Sequence, residues 1–311
     1  MIQTPMDVLK NFPIRKSKKQ KTAFREAAQK YFEYQGYEYR EEKGSLGARN
    51  VVIGDPENAK YLITAHYDTP AGMPFPNFIT PCNFLAYLAY QIVITCVMFA
   101  PSIALHFLLD YFYPYSPLSF LIPYCLLWAT LIFMMVGPAN KNNANDNTSG
   151  VVTVLEIART LPENQRSKVC FVLFDLEEAG LLGSSSYRSS HKKATNNQMV
   201  LNLDCVGDGN EIVFFPSGKV RKDRKKMEQL CKCVGRFGPK TIAIRDKGFS
   251  FYPSDQANFP YGVGIAALRR NKLVGLYMDK IHTKKDTILE ETNVNILRAA
   301  LTTYISSDTA E

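Results

Sequence analysis

The chain has 311 residues, room for one large domain or two small ones, and 46% of them are hydrophobic, ample for a core. Its net charge of +8 and pI near 9.0 suit a polyanion or an anionic membrane surface and do not choose between them. The seven cysteines are odd in number and irregularly spaced, which excludes a disulfide framework and a zinc ribbon and points to a reducing compartment.

Residues 1–10 lack the apolar stretch of a signal peptide, so export is not expected. Residues 1–16 are expected to form an arm. Lys16–Tyr34 places Phe24, Ala27, Ala28, Tyr31 and Phe32 near helical spacing, and Gly36 is the expected stop. Tyr37–Arg40 and Arg49–Ile53 alternate as strands around a Gly-rich turn. Lys60–Ala65 reads as a buried strand that runs into His66-Tyr67-Asp68-Thr69.

The composition then changes. Between Asp68 and Lys141 the only charged side chain is Asp110. Phe84–Leu109 and Leu118–Gly137 are apolar runs, each at least as long as the roughly 20 residues a helix needs to span a bilayer core. The tyrosine-rich Asp110–Pro117 between them fits an interfacial belt. A two-helix transmembrane hairpin over 70–137 is therefore expected, inserted between 1–69 and 138–311. A helical pair in a soluble core, or an apolar dimer interface, is the competing interpretation. All Lys and Arg lie outside the insert, which places the remaining domain in the cytoplasm. The basic segments Arg15–Lys21 and Arg221–Lys226 suit either anionic lipid or a solvated helix face. No basic groove interleaved with aromatics is evident, so nucleic acid is not an expected partner. The oligomeric state is left open.

Beyond Gly150, helices over Val151–Leu161, Glu178–Ser190, Arg221–Phe237 and Asn293–Tyr304 alternate with strands over Val169–Asp175, Val200–Asp204, Ile212–Phe215, Ile265–Leu268 and Val274–Tyr277. That order predicts an α/β fold with a mixed, mostly parallel central sheet flanked by helices.

Chemistry-bearing residues sit at the expected strand ends. His66-x-Asp68 follows a strand, and its two side chains point the same way. Asp146, in Asn-Ala-Asn-Asp-Asn-Thr-Ser-Gly, fits either a carboxylate shared by two cations or a helix-capping turn. Glu177-Glu178 is a carboxylate pair that is costly unless a cation or a proton neutralises it. Asp204 ends an apolar strand, where α/β folds bind ligands. His282 lies among lysines. His106 and His191 are read as incidental, His191 as exposed.

His-x-Asp, Asn-Asp-Asn-Thr-Ser-Gly, Glu-Glu-Ala-Gly-Leu-Leu-Gly-Ser, Asn-Leu-Asp and Ile-His-Thr-x-x-Asp-Thr, in that order, resemble the M28 family of zinc-dependent aminopeptidases and carboxypeptidase-like relatives. The resemblance covers about 16–304, interrupted by the insert. It implies two Zn2+ ions, or other divalent cations. Asp146 bridges them, His66 and Asp204 complete one site, and Glu178 and His282 the other. It implies Glu177 as general base, Asp68 as the residue orienting the histidine, and a cis peptide at Asp146–Asn147. Tyr252 lies near an oxyanion position. Asp255 falls in Ser-Asp-Gln, where many members have Ser-Asp-His. The activity implied is hydrolysis of an amide in a peptide or acyl-amino-acid substrate. Glutaminyl-cyclase-like acyl transfer and a non-catalytic scaffold on the same fold are the alternatives.

Overall fold

A computed structural model describes residues 1–246, 248 and 250–307. Ten strands form one sheet: β1 (Tyr39–Lys43), β2 (Arg49–Ile53), β3 (Tyr61–His66), β4 (Val169–Phe174), β5 (Met199–Leu203), β6 (Glu211–Pro216), β7 (Gly235–Phe237), β8 (Lys240–Ile244), β9 (Gly262–Asn271) and β10 (Gly275–Tyr277). Their order is β1-β2-β4-β3-β5-β9-β6-β8-β7, with β10 on β9. The central run β4-β3-β5-β9 is parallel, and antiparallel pairs flank it on both sides.

β3, β4 and β5 are buried at every position, as continuous apolar runs in a covered parallel sheet require. Helices Lys18–Tyr34, Gly150–Thr160 and Glu291–Ser306 pack apolar stripes into the main core. Ser17 and Gln20 cap the first of these reciprocally. The carboxyl ends of β3, β4 and β5 lie side by side, so His66, Glu177 and Asp204 leave the sheet along one edge.

Four local expectations are corrected. The expected helix at Glu178 starts only at Leu182, because Leu176, Gly180 and Leu181 adopt left-handed backbone and hold the two glutamates in a turn. Arg221–Phe237 is not one helix. It breaks at Asp223, which caps a second short helix, Arg224–Cys231, and Gly235–Phe237 pairs with β8 as a strand. The arm is not free either: Asp7–Asn11 is a short helix, and Arg15 is fully buried. Lastly, His191 is only 12% exposed, stacked on Tyr187 and placed between Glu42 and Glu57.

His191 carries a pH-dependent contribution. Its bonds to Glu42, working against burial, raise its pKa, and Glu57 adds to this. The stabilisation is full below the ordinary histidine pKa and is lost as pH rises through the higher folded value. His191→Phe is expected to cost on the order of 0.5–1 kcal/mol at pH 6 and less at pH 9, by denaturant unfolding at both pH values.

The two apolar runs form helices Phe84–Phe112 and Pro117–Val136, both long and apolar enough to cross a membrane. Only 6% and 11% of their most apolar stretches are buried, so they are not a pair inside a soluble core. Asn83 and Ser116 cap them, and Pro117 occupies the first turn. Their roots are tied to the sheet domain. Gly72 N–H donates to the Pro138 carbonyl, Asn140 N–H to Pro70, and Met73 N–H to the His282 carbonyl at 2.7 Å.

Candidate active site

The site is built around the loop Ala144–Ser149. Gly150 follows it, and a Cβ there would lie 2.3 Å from the Leu203 carbonyl oxygen. Only glycine permits that approach, which sets Asp146 beside the end of β5. The flanking asparagines fix the loop. Asn145 Oδ1 accepts from Gly207 N–H at 2.7 Å and Asp208 N–H at 3.1 Å. Asn147 accepts from Gly150 N–H and Cys205 N–H, and donates to the Leu203 carbonyl at 2.9 Å. The Asp146–Asn147 peptide is cis, as expected.

The two oxygens of Asp146 face different partners. Oδ1 lies 3.3 Å from His66 Nε2, which is itself 3.6 Å from Asp204 Oδ1. Oδ2 lies 2.9 Å from His282 Nε2, which is 3.4 Å from Glu178 Oε2. Side chains spread over more than two hundred positions therefore meet as two histidine–carboxylate pairs across one shared aspartate. Glu177 joins them: potential ligand atoms of His66, Glu177 and Asp204 lie within 4.8 Å of one another, as do those of His66, Asp146 and Glu178. Asp146, Asp204 and Cys205 form a third such group, so the buried Cys205 borders the site.

Asp68 contacts both the His66 ring and the turn that carries the two glutamates. His66 Nδ1 sits 3.2 Å from the Asp68 carbonyl and 3.6 Å from its carboxylate. The carboxylate accepts from the backbone N–H of Glu177 at 3.0 Å and Glu178 at 3.2 Å, so it grips the turn that carries both glutamates. Left-handed backbone occurs at Leu176, Cys205 and His282, each at or next to a candidate ligand or base. Such strain persists where the surrounding structure over-determines it, typically at functional sites.

The buried carboxylates need neutralising, by a cation or by protons. Burial raises the pKa of Glu177 well above the usual carboxylate range, and Glu178 adds to the rise. Burial does the same to Glu178, reinforced by Asp146. For His66, burial is outweighed by Glu177, Asp146 and Asp204, and its pKa is raised well above normal. Asp146 is held below its normal range by His282 and His66 despite its burial. Glu178 Oε1 and Asp204 Oδ1 are buried with no hydrogen bond among the described residues. Orphaned buried carboxylate oxygens beside imidazole nitrogens fit a divalent cation of zinc's ligand preference.

Tyr252 lines the cavity bordered by His66, Asp146, Glu177, Glu178, Asp204 and His282, and its hydroxyl donates to the Asp204 carbonyl at 3.1 Å. Asp255 is fully buried near this cluster but does not line the cavity, and burial pushes its pKa up to about 7. Gln256 stands where the family resemblance suggests histidine, and it bonds Asn202 and the Tyr252 carbonyl.

Two supporting residues were not singled out from the sequence. Asp286 accepts from Asn145 N–H at 2.7 Å and Asp146 N–H at 3.0 Å, clamping the loop from behind. Its place in Ile-His-Thr-x-x-Asp-Thr was the available signal. Arg15 gave no signal, being one basic residue among several. Its guanidinium donates to the Tyr67 carbonyl, the Phe12 carbonyl and Thr148 Oγ1, and its backbone N–H to Thr69 Oγ1. It thereby ties the His66–Asp68 strand exit to the Asp146 loop. Arg15→Met is expected to cost at least about 3 kcal/mol, because a buried charge-assisted network is broken and its acceptors are orphaned. Arg15→Lys should recover only part, since an ammonium lacks the guanidinium fork. Denaturant unfolding of the detergent-solubilised protein measures both.

A model of peptidase family M28 matches residues 132–304. Aminopeptidase YwaD of Bacillus subtilis (strain 168) is 45% identical over 67 residues, which are 21% of this chain and 15% of that protein, so the chain spans only a small part of that relative. Among solved structures, the LapA aminopeptidase of Legionella pneumophila superposes with a TM-score of 0.59 at 14% identity, over 99% of this chain and 72% of that one. The Macrostomum lignano glutaminyl cyclase gives 0.57 at 12% identity, over 98% and 89%. At these identities both likenesses show the fold. With its mixed sheet, its converging carboxylates and histidines, and a family match over more than half its length, this chain belongs to peptidase family M28.

Proposed function

We propose that the protein is a membrane-anchored, two-zinc hydrolase of amide bonds, acting as an aminopeptidase or an N-acyl amidase. The observation that carries this is Asp146, whose two oxygens face separate histidine–carboxylate pairs. His66 and Asp204 would hold one cation and Glu178 and His282 the other, with Asp146 shared. When bound, such ions supply Lewis acidity to a water and to the amide carbonyl.

The chain's own residues do the rest. Glu177 takes a proton from the attacking water and returns it to the leaving amine. Asp68 holds the Glu177 backbone and the His66 ring in place for that transfer. Tyr252, on the cavity wall, would turn its hydroxyl from the Asp204 carbonyl to the developing oxyanion. Asp255 sits farther back and acts on substrate only indirectly.

The segment 70–137 is the membrane module, and the remainder stands on the cytoplasmic side, following the lysine and arginine distribution. The mouth of the site faces the bilayer surface. A cavity of about 490 Å³ supports this placement: it joins Glu178 and Asp68 to Met135 and Val136 at the end of the second apolar helix, with Lys16 and Lys21 beside them.

Metal analysis of the purified, detergent-solubilised chain provides the test. About two zinc ions per chain, with turnover of aminoacyl or acyl-amino-acid amides that a chelator abolishes and zinc restores, is the expected result. One ion per chain with cyclising activity would favour acyl transfer instead, and no bound metal would leave a scaffold.

A further inference from the structure

The inserted segment does more than leave the domain near the site, because it forms one of the site's walls. A cavity of about 200 Å³ is lined by all five candidate metal ligands and by Glu177, and also by Tyr87 and Gln91 of the first apolar helix. Phe251 and Tyr252 line it from the sheet domain, and Ile79 from the segment leading into the helix.

These helix residues are held in place. Tyr87 packs on Phe251 with ring centroids 5.9 Å apart. Phe251 N–H donates to the Pro81 carbonyl at 2.8 Å, two residues before the helix cap. Ile79 bridges Met278, and Asn83 Nδ2 donates to the Val274 carbonyl. The root of the helix is thus stitched to the sheet domain on the cavity side.

The sequence of this helix fits the arrangement. Tyr87 and Gln91 are one turn apart and share a face. Leu85 and Val93 point away from it and are 76% and 57% exposed. A glutamine amide in an otherwise apolar span is costly against lipid. Here it borders a polar cavity, where it offers two donors and one acceptor. The cavity is smaller than the roughly 300–1,000 Å³ of sites that enclose a drug-sized ligand. It suits a scissile amide and one attached group, with the remainder of a longer substrate running out along the helix.

We propose that the first apolar helix supplies the specificity wall of the active site. Tyr87 and Phe251 pack the apolar group next to the scissile amide, and Gln91 hydrogen-bonds that amide's polar atoms. The substrates are amides whose apolar portion partitions into the bilayer surface, either a large aliphatic side chain of a peptide or a fatty acyl chain. This proposal rests on the hydrolase assigned above.

The test uses the full chain in lipid nanodiscs with three substrates: a hydrophilic alanyl amide, a leucyl amide and an N-dodecanoyl amino-acid amide. The specificity ratio, kcat/KM for each apolar substrate over that for the alanyl amide, is expected to fall about tenfold or more in Tyr87→Ala, whereas Gln91→Leu, which loses a bond to the amide all three share, should lower kcat/KM about tenfold for every substrate and leave the ratio near its wild-type value. The loss should appear mainly in KM. Val93→Ala, on the side of the helix turned away from the cavity, should leave both the ratio and kcat/KM unchanged, and zinc content should match the wild type in all three. Whichever apolar substrate loses more identifies the source of the apolar group. A ratio that stays constant in Tyr87→Ala, together with wild-type kcat/KM in Gln91→Leu, would overturn the wall and leave the hydrolase standing. Binding of a non-hydrolysable dodecanoyl ligand is measured alongside. Tyr87-dependent binding without turnover of any amide would sink the hydrolase and keep the wall.

Discussion

Glu177→Gln is expected to keep its bound metal and lose about 10²- to 10⁴-fold in kcat, the range a positioned general base contributes. The substitution changes little else. The Glu177 backbone N–H still donates to Asp68, and the turn set by left-handed Leu176 remains. A glutamine amide fills nearly the same volume but does not accept the water's proton. Because the loss occurs in the chemical step, KM should stay close to the wild-type value while kcat falls. Metal per chain and steady-state kinetics on one aminoacyl amide are sufficient. A variant with full metal and near-normal turnover would remove Glu177 from the mechanism.

Asp146→Ala should have the largest effect on metal binding. Both halves of the site meet at this carboxylate, one through Oδ1 and the other through Oδ2. Removing it leaves His66 with Asp204 and His282 with Glu178, two sets with nothing shared. Zinc per chain is expected to fall from about two to well below one, with activity below detection. Ligand-linked stability gives an independent readout. At free zinc one hundred times the dissociation constant, the wild type should gain about 2.7 kcal/mol per site, and the variant little or nothing. The loop itself should survive, since Asp286 binds its backbone rather than the Asp146 side chain. A variant that still bound two ions would show that Asp146 is not the shared ligand.

Legibility in the sequence followed the range of each signal. β3, β4 and β5 were readable because a strand buried on both faces must be apolar along its length. The two apolar helices were readable because Asp110, near the end of the first, is the only charged side chain in either. The motifs carrying His66, Asp146, Glu177, Asp204 and His282 were readable as an ordered set. The breaks at Leu182 and Asp223 were missed for a local reason: left-handed residues and a restarting cap interrupt a helix without disturbing the surrounding periodicity. Arg15 and His191 were misplaced because a charged residue near other polar residues looks solvated until its partners are known. Those partners, Tyr67 and Thr148 for one and Glu42 and Glu57 for the other, lie tens of positions away.

Local patterning by itself determined the buried strands and the apolar helices, and the order of the motifs marked the residues that carry chemistry, because apolar period and turn chemistry act between near neighbours. The tertiary structure alone decided that β3 lies between β4 and β5, and so that Glu177 and Asp204 flank His66. It alone set Asp146 between two histidines, buried Arg15 behind them and brought Tyr87 and Gln91 to the cavity. Strand order is set by how the crossover connections pack, and packing between distant segments leaves no mark on the spacing within either of them.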